Sequence, residues 1–261
     1  MKNIIKLSIV SAMALTQLHA GILGFNAGIG GGILQNQSIS GTVTDSNNNT
    51  VDIVRQLNLA GSGENYYTYL YVEHPIPLIP NIKLEMAQET YTGQNNLNVS
   101  LFGKSFNNKV NSTLDLSSMD AIVYWGVPFT GILSTLTPLI DYDIDFGVGA
   151  KTFTGSVDLI DQTGLLNVSQ EFEQTLIPYG YLRARADAFG IGIEGTAKYA
   201  SYMDNEFSEY AVKVDYVIPV TPIIDLGIEA GYKTTTLTVD SDYIKANIQS
   251  DNVFFGAFLK F

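Results

Sequence analysis

The sequence contains no cysteine, one tryptophan and two histidines in 261 residues. Without cysteine the chain has no disulfide framework, no zinc-thiolate site and no cysteine for lipid attachment. Only 15% of the residues are charged, against about 25% in ordinary globular proteins. The formal net charge of -12 excludes nucleic acid as an expected partner, because an acidic chain offers no basic patch for phosphate.

Long apolar runs are missing as well, apart from one at the amino terminus. Residues 1–20 combine two lysines with an apolar run from Leu7 to Leu15 and end on Ala20, which is the pattern of a secretory signal peptide. The run is shorter than the roughly 20 residues that a spanning helix needs. We therefore predict a signal peptide over 1–20 and a mature domain over 21–261.

The dominant feature of the mature sequence is alternation of apolar and polar residues. In residues 140–151 the even positions are apolar, whereas Asp141, Asp143 and Asp145 occupy odd positions. The same split recurs in 207–218 and 222–239. A period of two residues predicts strands that have one uncharged face.

Ten such segments are separated by connections of two kinds, one set short and mostly proline-marked, the other long and polar. Short turns on one rim and long loops on the other are typical of an outer-membrane barrel. We therefore predict an all-β fold, an up-and-down antiparallel transmembrane β-barrel of about ten strands, with roughly eight to twelve possible. The segments are 22–39, 65–73, 81–92, 112–126, 138–154, 168–186, 189–202, 207–218, 222–239 and 251–261.

Segment length and aromatic placement favour a barrel over a soluble β-sandwich, which alternation alone does not exclude. Several segments exceed the roughly 9 to 11 residues with which a tilted strand crosses a membrane. In the first long loop, "VDIVRQLNL" at 51–59 has apolar spacing that predicts one or two turns of helix. Aromatic residues near segment ends suit two interfacial girdles; they are Trp125, Phe189, Tyr199, Tyr210, Tyr216 and Tyr232.

Four stretches resemble a known family: "FNAGIGGGI" at the start of the mature chain, "VDIVRQLNL", "EHPIPLIPNIKLE" and the terminal "FFGAFLKF". Together they resemble an uncharacterised family of proteobacterial outer-membrane β-barrel proteins with a GlyGly motif near the first strand. The resemblance implies a barrel fold in the cell outer membrane of a Gram-negative bacterium, surrounded by lipid and lipopolysaccharide. It supplies no catalytic residue.

The last strand is similar to the general outer-membrane assembly signal, in which apolar residues at alternate positions lead to a final aromatic. That similarity implies the barrel assembly machinery as a partner during biogenesis. The matching positions are Phe255, Ala257, Leu259 and Phe261.

The polar face of the predicted strands carries charges of both signs. Because an unpaired buried charge is costly, we expect these charges to pair across a narrow lumen and largely plug it, with Arg183 and Arg185 bridging several carboxylates. The acids are Glu85, Glu89, Asp120, Asp141, Asp143, Asp145, Glu194, Asp215, Asp225 and Glu229. The bases are Lys151, Arg183, Arg185, Lys198, Lys213, Lys233 and Lys260.

Three consecutive glycines, Gly30, Gly31 and Gly32, lie within the first predicted strand. Glycine inside a strand indicates a close approach or a bulge. Two explanations stay open: a lipid or loop packs against bare backbone, or the glycines form a kink that curves the sheet. Asp141, Asp143 and Asp145 could imitate a cation site, but they lie on one straight strand, whereas calcium loops curl around the ion.

The number and positions of the histidines distinguish a hydrolase from a structural or porin-like protein. Known outer-membrane hydrolases pair a histidine base with Ser, Asp or Glu at the outer rim, but His19 leaves with the signal peptide and His74 lies in a turn on the side of the chain termini. We predict no enzymatic activity, no cofactor and no metal, and a structural or narrow-pore, porin-like role. An outer-membrane enzyme acting on lipid or peptide and a secreted soluble β-sandwich binding protein remain as alternatives.

Overall fold

Strands follow the alternation through almost all of the chain that the structure describes. The structure, a computed structural model, describes residues 25–61, 65–76, 78–127, 140–171, 176–202, 205–240 and 244–261. The predicted signal peptide lies outside these residues. Within them, no helix is long and apolar enough to cross a membrane.

Eighteen strands are present in the described residues. They are β1 (Asn26–Asp45), β2 (Thr50–Asp52), β3 (Ala60–Gly61), β4 (Tyr66–Glu73), β5 (Asn81–Gln88), β6 (Thr90–Asn96), β7 (Val99–Leu101), β8 (Lys104–Phe106), β9 (Lys109–Asp115), β10 (Ser118–Gly126), β11 (Asp141–Phe153), β12 (Ser156–Asp161), β13 (Asn167–Glu171), β14 (Leu176–Ala188), β15 (Ile191–Tyr202), β16 (Asn205–Thr221), β17 (Ile224–Asp240) and β18 (Ile244–Lys260).

Ten of these strands form a closed antiparallel barrel. Their order is β18, β17, β16, β15, β14, β11, β10, β5, β4 and β1, and β1 pairs with β18 to close the ring. The seam extends from Gly28 opposite Lys260 to Asp45 opposite Ile244. The predicted all-β, up-and-down barrel of about ten strands is confirmed. We call the end that carries Asn26 and Lys260 the terminal rim and the opposite end the distal rim.

Inward and outward faces alternate along each barrel strand. On β11, Ile144, Phe146 and Val148 point outward and are 37%, 51% and 56% exposed, whereas Asp145 and Lys151 point inward and are buried. A strand places successive side chains on opposite faces, so closure puts the carboxylates inside and the apolar side chains outside.

The last strand follows the same rule. Phe255, Ala257 and Leu259 of β18 face outward, while Phe254 and Phe258 are buried in the lumen. Three residues of the predicted assembly signal therefore share the outer face of the strand that closes the barrel, and the fourth, Phe261, follows the end of that strand.

The long connections at the distal rim fold into a second sheet. Its strand order is β13, β12, β9, β6 and β3, and at most two residues separate β5 from β6, β9 from β10 and β11 from β12. The barrel wall is thus prolonged past the distal rim. Sequence reasoning assigned these residues to long polar connections or to the ends of barrel strands, and missed the sheet.

An apolar core fills the space enclosed by this prolonged wall. Barrel strands β1 and β18 contribute from one side, the second sheet contributes from the other, and the hairpin β7–β8 packs in between. The buried core residues are Ile39, Val43, Val51, Ile53, Leu57, Leu59, Tyr91, Leu97, Leu101, Phe106, Val110, Leu114, Leu116, Val157, Leu159, Val168, Ile244, Ala246 and Ile248. We call this set the distal core.

Asp45 fastens the hairpin β7–β8 to the end of β1. Its carboxylate accepts hydrogen bonds from the backbone N–H groups of Asn47, Asn49 and Phe102, at 2.8 to 2.9 Å. Burial alone would raise the pKa of Asp45, but the side-chain bond from Asn49 and these backbone bonds outweigh it and lower the pKa.

The predicted helix at 51–59 is wrong. The Asp52 carboxylate accepts the N–H groups of Val54 and Arg55, and the Asp52 carbonyl accepts those of Gln56 and Leu57. Asn58 N donates to Val54 O, so the segment forms hydrogen-bonded turns and no continuous helix. Helical spacing would have required Val54 on the buried face, yet Val54 is 39% exposed, whereas Ile53 and Leu57 enter the distal core. The distal core therefore overrides the local pattern.

Adjacent residues on β12 test this core. Leu159 is fully buried in it, and Ile160 points outward and is 40% exposed. Leu159→Ala should destabilise the protein by about 2 to 5 kcal/mol, since it leaves a cavity, whereas Ile160→Ala should stay within about 0.5 kcal/mol. Denaturant unfolding in detergent micelles measures both, and equal losses would contradict the assigned faces.

Candidate functional site in the barrel lumen

Side chains of opposite charge converge in the lumen from eight barrel strands. The first group consists of two arginines of β14, close to the terminal rim, and the carboxylates that pair with them. Arg183 Nη1 lies 2.6 Å from Asp145 Oδ2, and Arg183 Nε lies 2.9 Å from Glu194 Oε2. Arg185 contacts Asp215 at 2.7 Å and Asp187 at 2.6 Å. We call these six residues the arginine cluster.

Two lysines form the second group, deeper in the lumen. Lys151 Nζ lies 2.8 Å from Asp120 Oδ2 and 3.1 Å from Glu209 Oε2. Lys198 Nζ lies 2.7 Å from Glu209 Oε1 and also contacts Glu85. Both ammonium side chains are almost fully buried, so their charges depend on these partners. We call these five residues the lysine cluster.

Lys213 and Glu229 extend the arginine cluster toward the tyrosines of β4. Lys213 Nζ lies 3.4 Å from Glu194 and 3.4 Å from Glu229. Glu229 accepts hydrogen bonds from Tyr67 Oη at 2.6 Å and from Tyr69 Oη at 2.9 Å. Phenol donors satisfy carboxylate lone pairs that ammonium groups do not reach.

Glu89 forms the upper boundary of the charged lumen. Its carboxylate pairs with Lys233 Nζ at 2.6 Å and accepts from Asn252 Nδ2 at 3.1 Å. Tyr91, two residues after Glu89 in the sequence, belongs to the distal core. The polar network therefore borders the distal core directly.

The structure places most of the predicted lumen charges in these contacts. Four predicted members lie at the terminal rim, outside the two clusters. Asp141 and Asp143 are exposed at the start of β11, and Asp225 lies opposite Lys260 across the β17–β18 pair. The other predicted members make the ion pairs of the lumen, and they are Glu85, Glu89, Asp120, Asp145, Lys151, Arg183, Arg185, Glu194, Lys198, Lys213, Asp215, Glu229 and Lys233.

Sequence reasoning missed four charged members: Glu73, Lys83, Asp187 and Glu209. Lys83 lies 2.6 Å from Glu85, and Glu73 accepts from Tyr124 Oη at 2.8 Å. Lys83, Asp187 and Glu209 each share the inward parity of a charge that the sequence did indicate on the same strand. The period of two, applied to the ends of each strand, would have found them.

A cavity of about 110 Å³ lies among these side chains. Five lysines and five carboxylates line it, together with Tyr67 and Tyr69. A second space of about 10 Å³ lies between Glu89 and Lys151, below the distal core. It has room for about one water molecule.

The glycines of β1 allow tyrosine rings to pack against bare backbone. A Cβ atom added to Gly30 would lie 2.5 Å from the ring of Tyr69, and one added to Gly28 would overlap Tyr71. At Gly32 a Cβ would overlap the backbone of Phe255 on β18. Gly30, Gly31 and Gly32 pair in unbroken register with β4 and β18, and the irregularity of β1 lies between Asn36 and Ser38. The possible bulge at the glycines is therefore wrong, and close approach is what the positions require.

His74 is built into the turn between β4 and β5 at the terminal rim. Its Nδ1 lies 3.2 Å from Ile76 N and its Nε2 lies 3.2 Å from Pro80 O. The ring also packs edge-on against Phe25. Both ring nitrogens are thus engaged by the turn.

Comparison with known proteins gives similarity of fold. No family model matches the sequence, and no curated protein matches it. The outer membrane protease OmpT from Escherichia coli is similar over 91% of this chain and 96% of its own, at 13% identity and a TM-score of 0.48. The CymD monoaromatic hydrocarbon channel is similar over 94% and 89%, at 9% identity and a TM-score of 0.34.

A major outer membrane protein from Thermus thermophilus is similar over 91% of this chain and 100% of its own, at 11% identity and a TM-score of 0.30. Fold does not determine activity, because one architecture carries many functions. The function must therefore be argued from the residues of this chain.

Loss of one buried ammonium tests the lumen network. Lys198→Met removes an ammonium group that Glu85 and Glu209 share. It should destabilise the protein by about 3 to 5 kcal/mol, because the remaining ammonium groups of Lys83 and Lys151 leave a net negative charge buried among the carboxylates. Lys245→Met is the matched control, since its pair with Asp240 is 53% exposed on the lysine side and should change stability by at most about 1 kcal/mol. Unfolding in detergent measures both; equal effects would contradict a tightly paired lumen.

Proposed function

We propose that the protein is an integral outer-membrane β-barrel with a sealed lumen, which acts as a structural element of the membrane and not as an open pore. The main support for this proposal is that two barriers follow each other along the barrel axis. The paired charges lie nearer the terminal rim, and the distal core lies at the distal rim. A solute that entered from either rim would meet one of them.

The outer surface supports a membrane location. Strands β15 and β16 present apolar side chains to the outside, among them Ile193, Val212 and Val214, which are 55%, 58% and 48% exposed. Aromatic residues Phe189, Tyr199 and Tyr210 lie nearer the strand ends and are 80%, 50% and 50% exposed. In water such a surface would be an aggregation hazard, whereas lipid-facing bands with aromatic borders are the rule for membrane barrels.

The energetics of the charged layer support a closed state. To open a passage, the barrel would have to separate ion pairs such as Arg183–Asp145 and Lys198–Glu209, which lie 2.6 and 2.7 Å apart. Separating a buried pair leaves charges without compensation, at a cost of several kcal/mol each. A single solute offers few contacts that could offset this.

Hydrolysis receives no support from the geometry. His74, the only histidine of the predicted mature domain, contributes its ring nitrogens to the terminal turn and lies away from the distal rim. We therefore infer no acid-base chemistry for the lumen, whose carboxylates are paired with ammonium and guanidinium groups.

Electrical recording tests the seal. Protein reconstituted in planar bilayers should show no stable conductance of porin size, because both barriers remain in place. Heat-modifiable migration on a detergent gel checks that the reconstituted protein is folded. Stable open channels from folded protein would overturn the sealed-lumen proposal.

A charge on the outer face tests the membrane location. Val148→Arg, on the outer face at the middle of β11, should destabilise the bilayer-inserted protein by about 2 to 4 kcal/mol. Asp143→Asn, an exposed position at the terminal rim of the same strand, should change stability by at most about 0.5 kcal/mol. Folding titrations in lipid vesicles compare the two variants, and equal tolerance of both would contradict the proposed lipid face.

A further inference from the structure

The turn between β4 and β5, described at residues 74–76 and 78–80, exposes apolar side chains at the terminal rim. Leu78 is 90% exposed, Ile79 is 50% exposed and Ile76 is 49% exposed. Val72 and Ile82, on the strands that lead into and out of the turn, continue this surface on the outer face at 38% and 49% exposure. The apolar turn is therefore continuous with the outer apolar face of the barrel.

The backbone of this turn is tied down by bonds within the protein. The sequence places proline at 75, 77 and 80, which removes three N–H groups. His74 N donates to Asn81 Oδ1 at 3.0 Å, and Ile79 N donates to Ile76 O at 3.2 Å. Irregular backbone can lie at the depth of lipid only where its polar groups are satisfied in this way.

Two side chains extend this set of bonds. Ile76 N donates to His74 Nδ1 at 3.2 Å, so Nδ1 carries no proton and Nε2 carries the ring hydrogen, which points at Pro80 O 3.2 Å away. Trp125 Nε1 donates to Leu78 O at 3.5 Å. These polar atoms of the turn are thus engaged within the protein while its apolar side chains point out.

The strands that flank the turn are short. β4 and β5 have 8 residues each, and β6, which continues β5, exposes polar Thr92 and Gln94. The apolar outer face on this side is therefore shorter than the roughly 9 to 11 residues with which a tilted strand crosses a bilayer. β11 and β14 have 13 residues each. On the β4–β5 side, apolar length is missing, and the turn supplies it.

We propose that residues 74–76 and 78–80 are embedded in the membrane, with Ile76, Leu78 and Ile79 in contact with acyl chains of the leaflet at the terminal rim. The partner of this surface is lipid, and neither water nor a second protein covers it. The inference rests on the proposed membrane location and adds a depth for one turn. We call these residues the wedge, because their contact with acyl chains sets the depth of the terminal rim in the bilayer.

Tryptophan quenching by brominated lipid tests the wedge. The chain has a single tryptophan, so Trp125→Phe removes the native tryptophan fluorescence, together with the bond from Trp125 to Leu78 O. One reporter tryptophan is then placed in this background. Leu78→Trp probes the turn, and Phe146→Trp probes the outer face of β11. Leu165→Trp is the matched control, because Leu165 is a similarly exposed leucine, at 87%, in a turn at the distal rim.

We expect Leu78→Trp and Phe146→Trp to lose most of their fluorescence in phosphatidylcholine vesicles with brominated acyl chains, and Leu165→Trp to keep it. Quenching at Phe146→Trp without quenching at Leu78→Trp would overturn the wedge and leave the membrane barrel intact. Loss of quenching at both would overturn the proposed membrane location as well.

Cysteine labelling gives a second measurement with less perturbation. The chain has no cysteine, so Leu78→Cys and Leu165→Cys each offer one thiol. In folded protein in vesicles, a water-soluble maleimide should label position 165 fast and position 78 slowly. Equal rapid labelling of both, after detergent lysis has shown both thiols to be reactive, would overturn the wedge.

Discussion

Closure of the barrel by β1 and β18 is the constraint on which the other features depend. A sheet in hydrocarbon cannot leave backbone N–H and C=O groups unpaired, and the long seam between the first and last strands removes both edges. Once the ring is closed, the period of two assigns each side chain to the lumen or to the outside. Charged side chains on the inner face then have little access to bulk water, so they must form ion pairs with one another.

This necessity explains the composition of the lumen. Arg183 and Arg185 lie on the same inward face of β14 and reach carboxylates on strands from both sides, since a guanidinium offers several donors in a fixed fork. Lysines, with a single charge centre on a flexible stem, occupy the middle of the lumen, where Lys198 sits between Glu85 and Glu209. Tyrosine hydroxyls satisfy further carboxylate oxygens without adding charge.

The sequence predicted the barrel strands well because alternation is a local signal. Asp145 and Lys151 could be assigned to the lumen by parity, and so could Glu209, which was overlooked. Which carboxylate meets which ammonium was not predictable, because register between strands such as β14 and β15 depends on the whole ring. Packing against the distal core decided the segment at 51–59, where Val54 had suggested a helix, and this packing involves residues distant in the chain.

The distal core has a consequence for the order of folding. It joins Ile39 and Val43 from the first strand to Ile244 and Ile248 from the last, with the second sheet packed against both. Contacts so far apart in sequence form late, because the loop between them must first be closed. The cap over the lumen can therefore be completed only when the ring itself closes, and an unfinished barrel stays open at its distal end.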